Sequence, residues 1–177
     1  MKKLMTIVLA VVLIAGFTST SNAQISIGAK AGIALPMGTF GDAVGMGFGG
    51  SAIGEYTLND NMTLGLNIGV YSFAGKTISL PFLGDITGPS STIIPIIADF
   101  KYYFSAENFK PYAGAGLGMY MFNNGGGSNL GISPKVGFWM GDGFQYGASI
   151  DYNMIFVTGG SNAYLGINVG ILYPLGK

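Results

Sequence analysis

Apolar side chains recur at every second position through most of this chain, and only an extended strand has that period. Residues 144–154 show it plainly. Phe144, Tyr146, Ala148, Ile150, Tyr152 and Met154 alternate with Gln145, Gly147, Ser149, Asp151 and Asn153. Successive side chains of a strand point to opposite faces, so one face here is apolar and the other small or polar. The same alternation runs through 24–35, 46–56, 62–73, 93–104, 112–122, 130–140 and 163–175. With 144–154 these make eight strands.

The connections alternate as well. Residues 59–61, 105–110 and 141–143 are short polar turns, while 36–45, 74–91, 123–129 and 155–162 read as longer loops. Short turns at one end and long loops at the other match an up-and-down barrel in a bacterial outer membrane, with the short turns in the periplasm.

The chain opens with the parts of an export signal. Lys2 and Lys3 precede a mostly apolar run from Leu4 to Phe17, and Ser21-Asn22-Ala23 then leads to a cleavage point before Gln24. No Cys lies near that point, which argues against a lipoprotein anchor. We expect residues 1–23 to be a signal peptide and 24–177 a single barrel domain, located in the outer membrane of a Gram-negative bacterium. No later apolar run reaches the ~18 residues of a spanning helix.

Composition narrows the chemistry. Glycine is 31 of 177 residues, well above the usual ~7%, and Gly28, Gly65, Gly114, Gly116, Gly118, Gly147 and Gly166 are among those that fall mid-strand on the polar face. Charged residues are 9%, low for a soluble surface, where ~25% or more is usual. Without Lys2 and Lys3 the chain has six Lys against eight acids, and no basic stripe suits a nucleic acid. Zero Cys excludes disulfides and thiolate chemistry, and zero His removes the usual metal ligand and general base. Nothing implies a cofactor.

In hydrocarbon an unpaired backbone group costs several kcal/mol, so a spanning sheet must close on itself. The expected fold is therefore all-β: an eight-stranded antiparallel up-and-down transmembrane β-barrel. Its glycine-bearing face forms the lumen. Aromatic residues at the lower strand ends, among them Tyr56, Tyr102, Phe104, Phe138, Phe144, Tyr146 and Tyr173, read as a girdle at the lipid headgroups. Phe48, Tyr152 and Phe156 form a thinner upper one.

Four segments carry a resemblance to a known family. They are Gly47-Phe48-Gly49-Gly50-Ser51-Ala52, Asp99-Phe100-Lys101-Tyr102-Tyr103-Phe104, Lys110-Pro111-Tyr112-Ala113-Gly114-Ala115-Gly116-Leu117-Gly118, and Val169-Gly170-Ile171-Leu172-Tyr173-Pro174-Leu175. The chain resembles the small outer-membrane β-barrel proteins of Gram-negative bacteria, OmpA/OmpX-like in architecture, over nearly all of 24–177. We expect a monomer, with outer-membrane lipid and the barrel-assembly machinery as partners. Such barrels usually end on an aromatic residue, whereas this chain ends on Lys177.

Six charges fall on the inner face: Lys30, Glu55, Asp99, Lys101, Lys135 and Asp151. A charge facing lipid would cost ~2–4 kcal/mol for Lys at the midplane, so the alternation turns them inward. Three positive and three negative groups can form a paired polar plug. Counting back from a turn centred on Asp142 sets Lys135 diagonal to Asp151, and a Lys135–Asp151 pair is expected. Tyr103, Tyr112, Tyr120 and Trp139 share the lumen. Asp42, Lys76 and Asp85 read as solvated loop charges. Loop 74–91 is unusually apolar, with Ile78, Leu80, Pro81, Phe82, Leu83 and Ile86, and either covers the barrel mouth or meets a surface partner. The function expected is structural or surface-interacting, and not enzymatic. The competing reading is a small passive pore, or a side-opening path for small or apolar molecules.

Overall fold

A computed structural model of the chain describes residues 25–80, 84–105, 107–123 and 127–175. The expected signal peptide lies outside these residues, as do Pro81, Phe82, Leu83 and Lys177. Among the described residues there are ten strands: β1 (Ile25–Met37), β2 (Val44–Asn59), β3 (Met62–Gly75), β4 (Thr77–Leu80), β5 (Gly84–Thr87), β6 (Ser91–Tyr103), β7 (Phe109–Phe122), β8 (Ser128–Met140), β9 (Gln145–Val157) and β10 (Gly160–Pro174). One short helix, α1 (Gly38–Ala43), joins β1 to β2. Eight of the strands close into an antiparallel barrel in the order β1-β10-β9-β8-β7-β6-β3-β2, with β4 and β5 standing apart from it. The seam between first and last strands is fully paired, from Ser26 opposite Pro174 to Met37 opposite Ala163.

The two faces separate as the alternation predicts. Ile27, Leu66, Ile96, Leu117, Val136, Ile150 and Ile167 all lie on the exposed outer wall. Tyr102, Phe104, Phe109, Phe144, Tyr146 and Tyr173 are exposed around the end that carries the short turns. Two of them stack edge to face, Tyr102 and Phe104, with ring centres 5.5 Å apart. The inward face is filled, as expected for eight strands, whose interior side chains can just occupy.

Three connections differ from their sequence reading. Segment 36–45 is not an open loop: Gly38 turns at a positive φ of 57°, and the α1 that follows drops Phe40 into the barrel mouth. Segment 155–162 is mostly strand, with only Thr158 and Gly159 left in the turn. The sequence signal fails there because Ile155-Phe156-Val157 is apolar on both faces, and the inner one, Ile155, is wholly buried. Segment 74–91 contains a hairpin of its own, β4 paired with β5 from Thr77 opposite Thr87 to Leu80 opposite Gly84. Its strands alternate too, but for only four residues each.

Two prolines interrupt the wall. The β3–β6 ladder lapses between Ile68 opposite Ile96 and Tyr71 opposite Ile93, beside Pro95. The β8–β9 ladder lapses between Ile132 opposite Met154 and Lys135 opposite Asp151, beside Pro134. A proline has no N–H to give a ladder. Both prolines keep their register with β7, opposite Tyr120 and Ala115.

The tight β9–β10 turn depends on Gly159, whose φ is 88°. A β-branched residue is strained there by ~1–2 kcal/mol. Gly159→Val should lower the urea midpoint of the refolded barrel, while Gly143→Ala, where an added methyl meets nothing within 4 Å, should leave it unchanged.

Candidate functional site: the charged layer of the lumen

The lumen is layered. Toward the α1 end lies an apolar cluster of Ala34, Phe40, Val44, Tyr71, Phe73, Ile93, Ile97, Tyr120, Ile155 and Tyr164. Toward the short-turn end lies a second cluster of Ile53, Tyr103, Tyr112, Trp139 and Leu172. Between them sit Lys30, Glu55, Asp99, Lys101, Lys135 and Asp151, all buried, with Lys101 only 2% exposed.

The six charges form three ion pairs. Lys30 donates to Asp151 Oδ2 at 3.1 Å, Lys101 to Glu55 Oε1, and Lys135 to Asp99 Oδ1. Each pair joins strands that are two apart around the barrel, and so reaches across one intervening strand. Lys30 on β1 crosses β10 to Asp151 on β9. Lys101 on β6 crosses β3 to Glu55 on β2. Lys135 on β8 crosses β7 to Asp99 on β6.

Glycine lies along each crossing, wholly on β7 and beside Thr63 on β3 and Asn168 on β10. On β10, Gly170 lies opposite Lys30 and Gly166 opposite Asp151. On β3, Gly65 lies opposite Glu55, while Lys101 lies opposite the small, buried Thr63. On β7, Gly114 lies opposite Lys101 and Lys135, and Gly116 opposite Asp99. The fit is close. A methyl on Gly116 would meet Asp99 Oδ1 at 2.4 Å, and one on Gly170 would meet Lys30 Cγ at 2.7 Å. These glycines serve as saddles for long side chains lying flat against the wall.

Neutral groups complete the layer. Tyr103 donates its hydroxyl to Glu55 Oε2 at 2.9 Å, so that carboxylate accepts on both oxygens. Asn168 donates to Asp151 Oδ2 at 3.0 Å and accepts from Tyr71 at 3.0 Å. Tyr120 donates to Asn153 Oδ1 at 2.9 Å. The Lys101 ammonium lies 5.0 Å from the centre of the Tyr112 ring, a cation–π distance. A buried charge is tolerated only when paired and hydrogen-bonded, and each of the six has an opposite charge.

The expected Lys135–Asp151 pair is not formed. The β8–β9 turn is not centred on Asp142: Met140 pairs with Tyr146, which puts Lys135 directly opposite Asp151 rather than diagonal to it. Asp151 instead turns toward β10, where Lys30 and Asn168 donate to it. Lys135 runs the other way, over Gly114 and Gly116, to Asp99. The glycines of β7 leave a free path on that side. Sequence reasoning also misses the inward Ile53, Ile97, Ile155 and Leu172, because each adjoins outward apolar residues and the alternation fades. Phe40 carries no period at all. Among the described residues, no three of His, Cys, Asp and Glu are grouped as a metal would need.

Solved structures share this architecture, although no family model matches the chain and no curated protein matches its sequence. The crystal structure of Neisserial surface protein A is similar, with a TM-score of 0.65 at 19% identity, covering 86% of this chain and 99% of that one. A major outer membrane protein from Thermus thermophilus is similar at a TM-score of 0.54 and 15% identity, over 88% and 100% of the two chains. The chain has the fold of small outer-membrane β-barrels.

The arches make a definite stability pattern. Lys135→Met strands Asp99 without its partner, and breaking one side of a buried pair costs ~3–5 kcal/mol. Adding Asp99→Asn should restore more than half of that loss, while adding Asp151→Asn should deepen it, because Lys30 then loses its partner too. Urea unfolding of the four proteins in lipid vesicles gives the comparison. Equal rescue by Asp99→Asn and Asp151→Asn would contradict the pairing. Gly116→Ala should be destabilising in the same assay, by ~1–3 kcal/mol, because its methyl must push Asp99 off Lys135.

Proposed function

We propose that this protein is an integral barrel of a Gram-negative outer membrane, exported by its N-terminal leader, with a structural or surface-interaction role and a lumen closed to solutes. The carrying observation is the charged layer, in which three buried ion pairs span the interior between two apolar clusters. A water-filled channel would leave such groups solvated and apart. The apolar outer wall and its aromatic band support insertion in lipid, the solvent that favours an outward apolar face on a closed sheet.

In this reading Lys30, Glu55, Asp99, Lys101, Lys135 and Asp151 are a polar plug and not a reaction centre. Each carboxylate is held by a lysine, and the chain has no His or Cys to act as base or nucleophile. The membrane lipid and the assembly machinery are its general partners, and it acts as a monomer. A more particular partner meets segment 74–91, where the β4–β5 hairpin stands outside the barrel ladder and its sequence is apolar.

Single-channel recording in a planar bilayer tests the plug. The wild-type barrel should show no steady conductance. Lys101→Ala combined with Lys135→Ala removes two arches and leaves Glu55 and Asp99 unbalanced, so that variant should open more often and favour cations. A large, steady wild-type conductance would overturn the closed lumen and favour the pore.

A further inference from the structure

Phe40 belongs to no strand, yet it lies inside the barrel. Its ring meets Phe73 edge to face at 5.1 Å, and Phe73 in turn meets Tyr164 at 5.5 Å. Tyr71 stands 5.9 Å from Tyr164, and Ile93, Ile155 and Tyr120 continue the same apolar wall. The wall belongs to β3, β6, β7, β9 and β10, so it is built by the barrel itself. Phe40 comes from outside, on a connection. It occupies the mouth as a ligand would.

The tether that brings it is weakly held. α1 has six residues, fewer than a helix needs to persist alone, and no side chain caps its N-terminus. It begins at Gly38, in a conformation that glycine reaches freely, and contains a second glycine, Gly41. Its other faces are exposed at Thr39, Asp42 and Ala43. One exposed hydrogen bond, from Lys76 Nζ to the Gly41 carbonyl at 2.9 Å, ties it to the end of β3. Among the described residues, Phe40 is the one residue of the helix that is buried. By contrast the floor beneath is fixed, with Tyr71 bonded to Asn168 and Tyr120 to Asn153.

We infer that the ring-lined mouth of the barrel is a binding site for a small uncharged aromatic molecule, and that Phe40 is a tethered occupant which such a molecule displaces. The chemistry of the wall sets the class. The edge-to-face contact that Phe73 makes with Phe40 at 5.1 Å, beside Tyr164 and Tyr71, favours another flat ring. An ion is disfavoured, because the charges below are already paired and the walls are apolar. The size is that of a phenyl group, the volume Phe40 vacates.

Two variants of the purified barrel test this, with toluene as the probe. The chain has one tryptophan, Trp139, so combining Trp139→Phe with Phe40→Trp leaves the introduced indole as the sole reporter. Its emission should be blue-shifted and shielded from iodide. Toluene should raise iodide quenching severalfold, while an equal concentration of glycerol should not. Phe40→Ala empties the site and provides the second reading. Toluene should raise its Tm by several degrees, and by more than it raises that of the wild type, where Phe40 must first leave. If toluene leaves the Tm of Phe40→Ala unchanged, the mouth is not a ring site. If the Tm rises but the introduced indole stays shielded, Phe40 is a fixed part of the wall and the displacement is refuted.

Discussion

A lysine ammonium enclosed by a barrel wall must meet a carboxylate, and the rest of this interior is arranged around that demand. The stem of a lysine is long, and the lumen of eight strands is narrow. A lysine and an acid on directly adjacent strands would stand side by side, both pointing at the centre. Here each lysine instead lies down over the next strand and meets its acid on the one beyond. That geometry is eased where the strand between has little or no side chain. Gly170 and Gly166, Gly65, and Gly114 and Gly116 supply the clearance. The high glycine content of the chain is thus coupled to its buried charges, and not to turns alone.

The apolar clusters above and below serve the same pairing. They bury the charged layer from both ends, and burial strengthens each ion pair while raising the penalty on any charge left single. Trp139, Tyr103 and Tyr112 do this at the short-turn end, and Phe73, Tyr164 and Phe40 at the other. Tyr103 and Tyr71 join both systems, since each buries a ring in a cluster and bonds its hydroxyl into the charged layer.

The barrel is legible in the sequence because period two is a local property. Ile27, Leu66, Leu117 and Ile167 reach the outer wall by the same parity that sends Lys30, Glu55, Asp99 and Lys135 inward. What parity cannot supply is direction around the barrel. Lys135 and Asp151 are true neighbours across β8 and β9, yet each turns away from the other, because glycine lies on their far sides. Pairing across a strand is set by three strands at once, and a two-strand register count does not contain it. Phe40 is hidden for a related reason. Its place comes from a turn at Gly38 and from rings contributed by distant strands, and no short pattern records either.

Arches that span three strands have a consequence for how the chain acquires its structure. Two of them are local: β6, β7 and β8 are consecutive in sequence, and the partners Lys135 and Asp99 are 36 residues apart. The third joins residues 121 apart, since Lys30 lies on the first strand and Asp151 on the ninth, with the last strand between them. In the closed barrel no lysine is paired with an acid of its own two-stranded hairpin. The smallest self-sufficient unit of this wall is a triplet of strands, and the triplet that carries Lys30 exists only after the ends of the chain have met. An unclosed sheet keeps one ammonium and one carboxylate without their partner, and gains that pair in a single step as the seam zips. Ring closure is therefore electrostatically rewarded as well as hydrogen-bonded, and the reward falls at the one junction that connects the two termini.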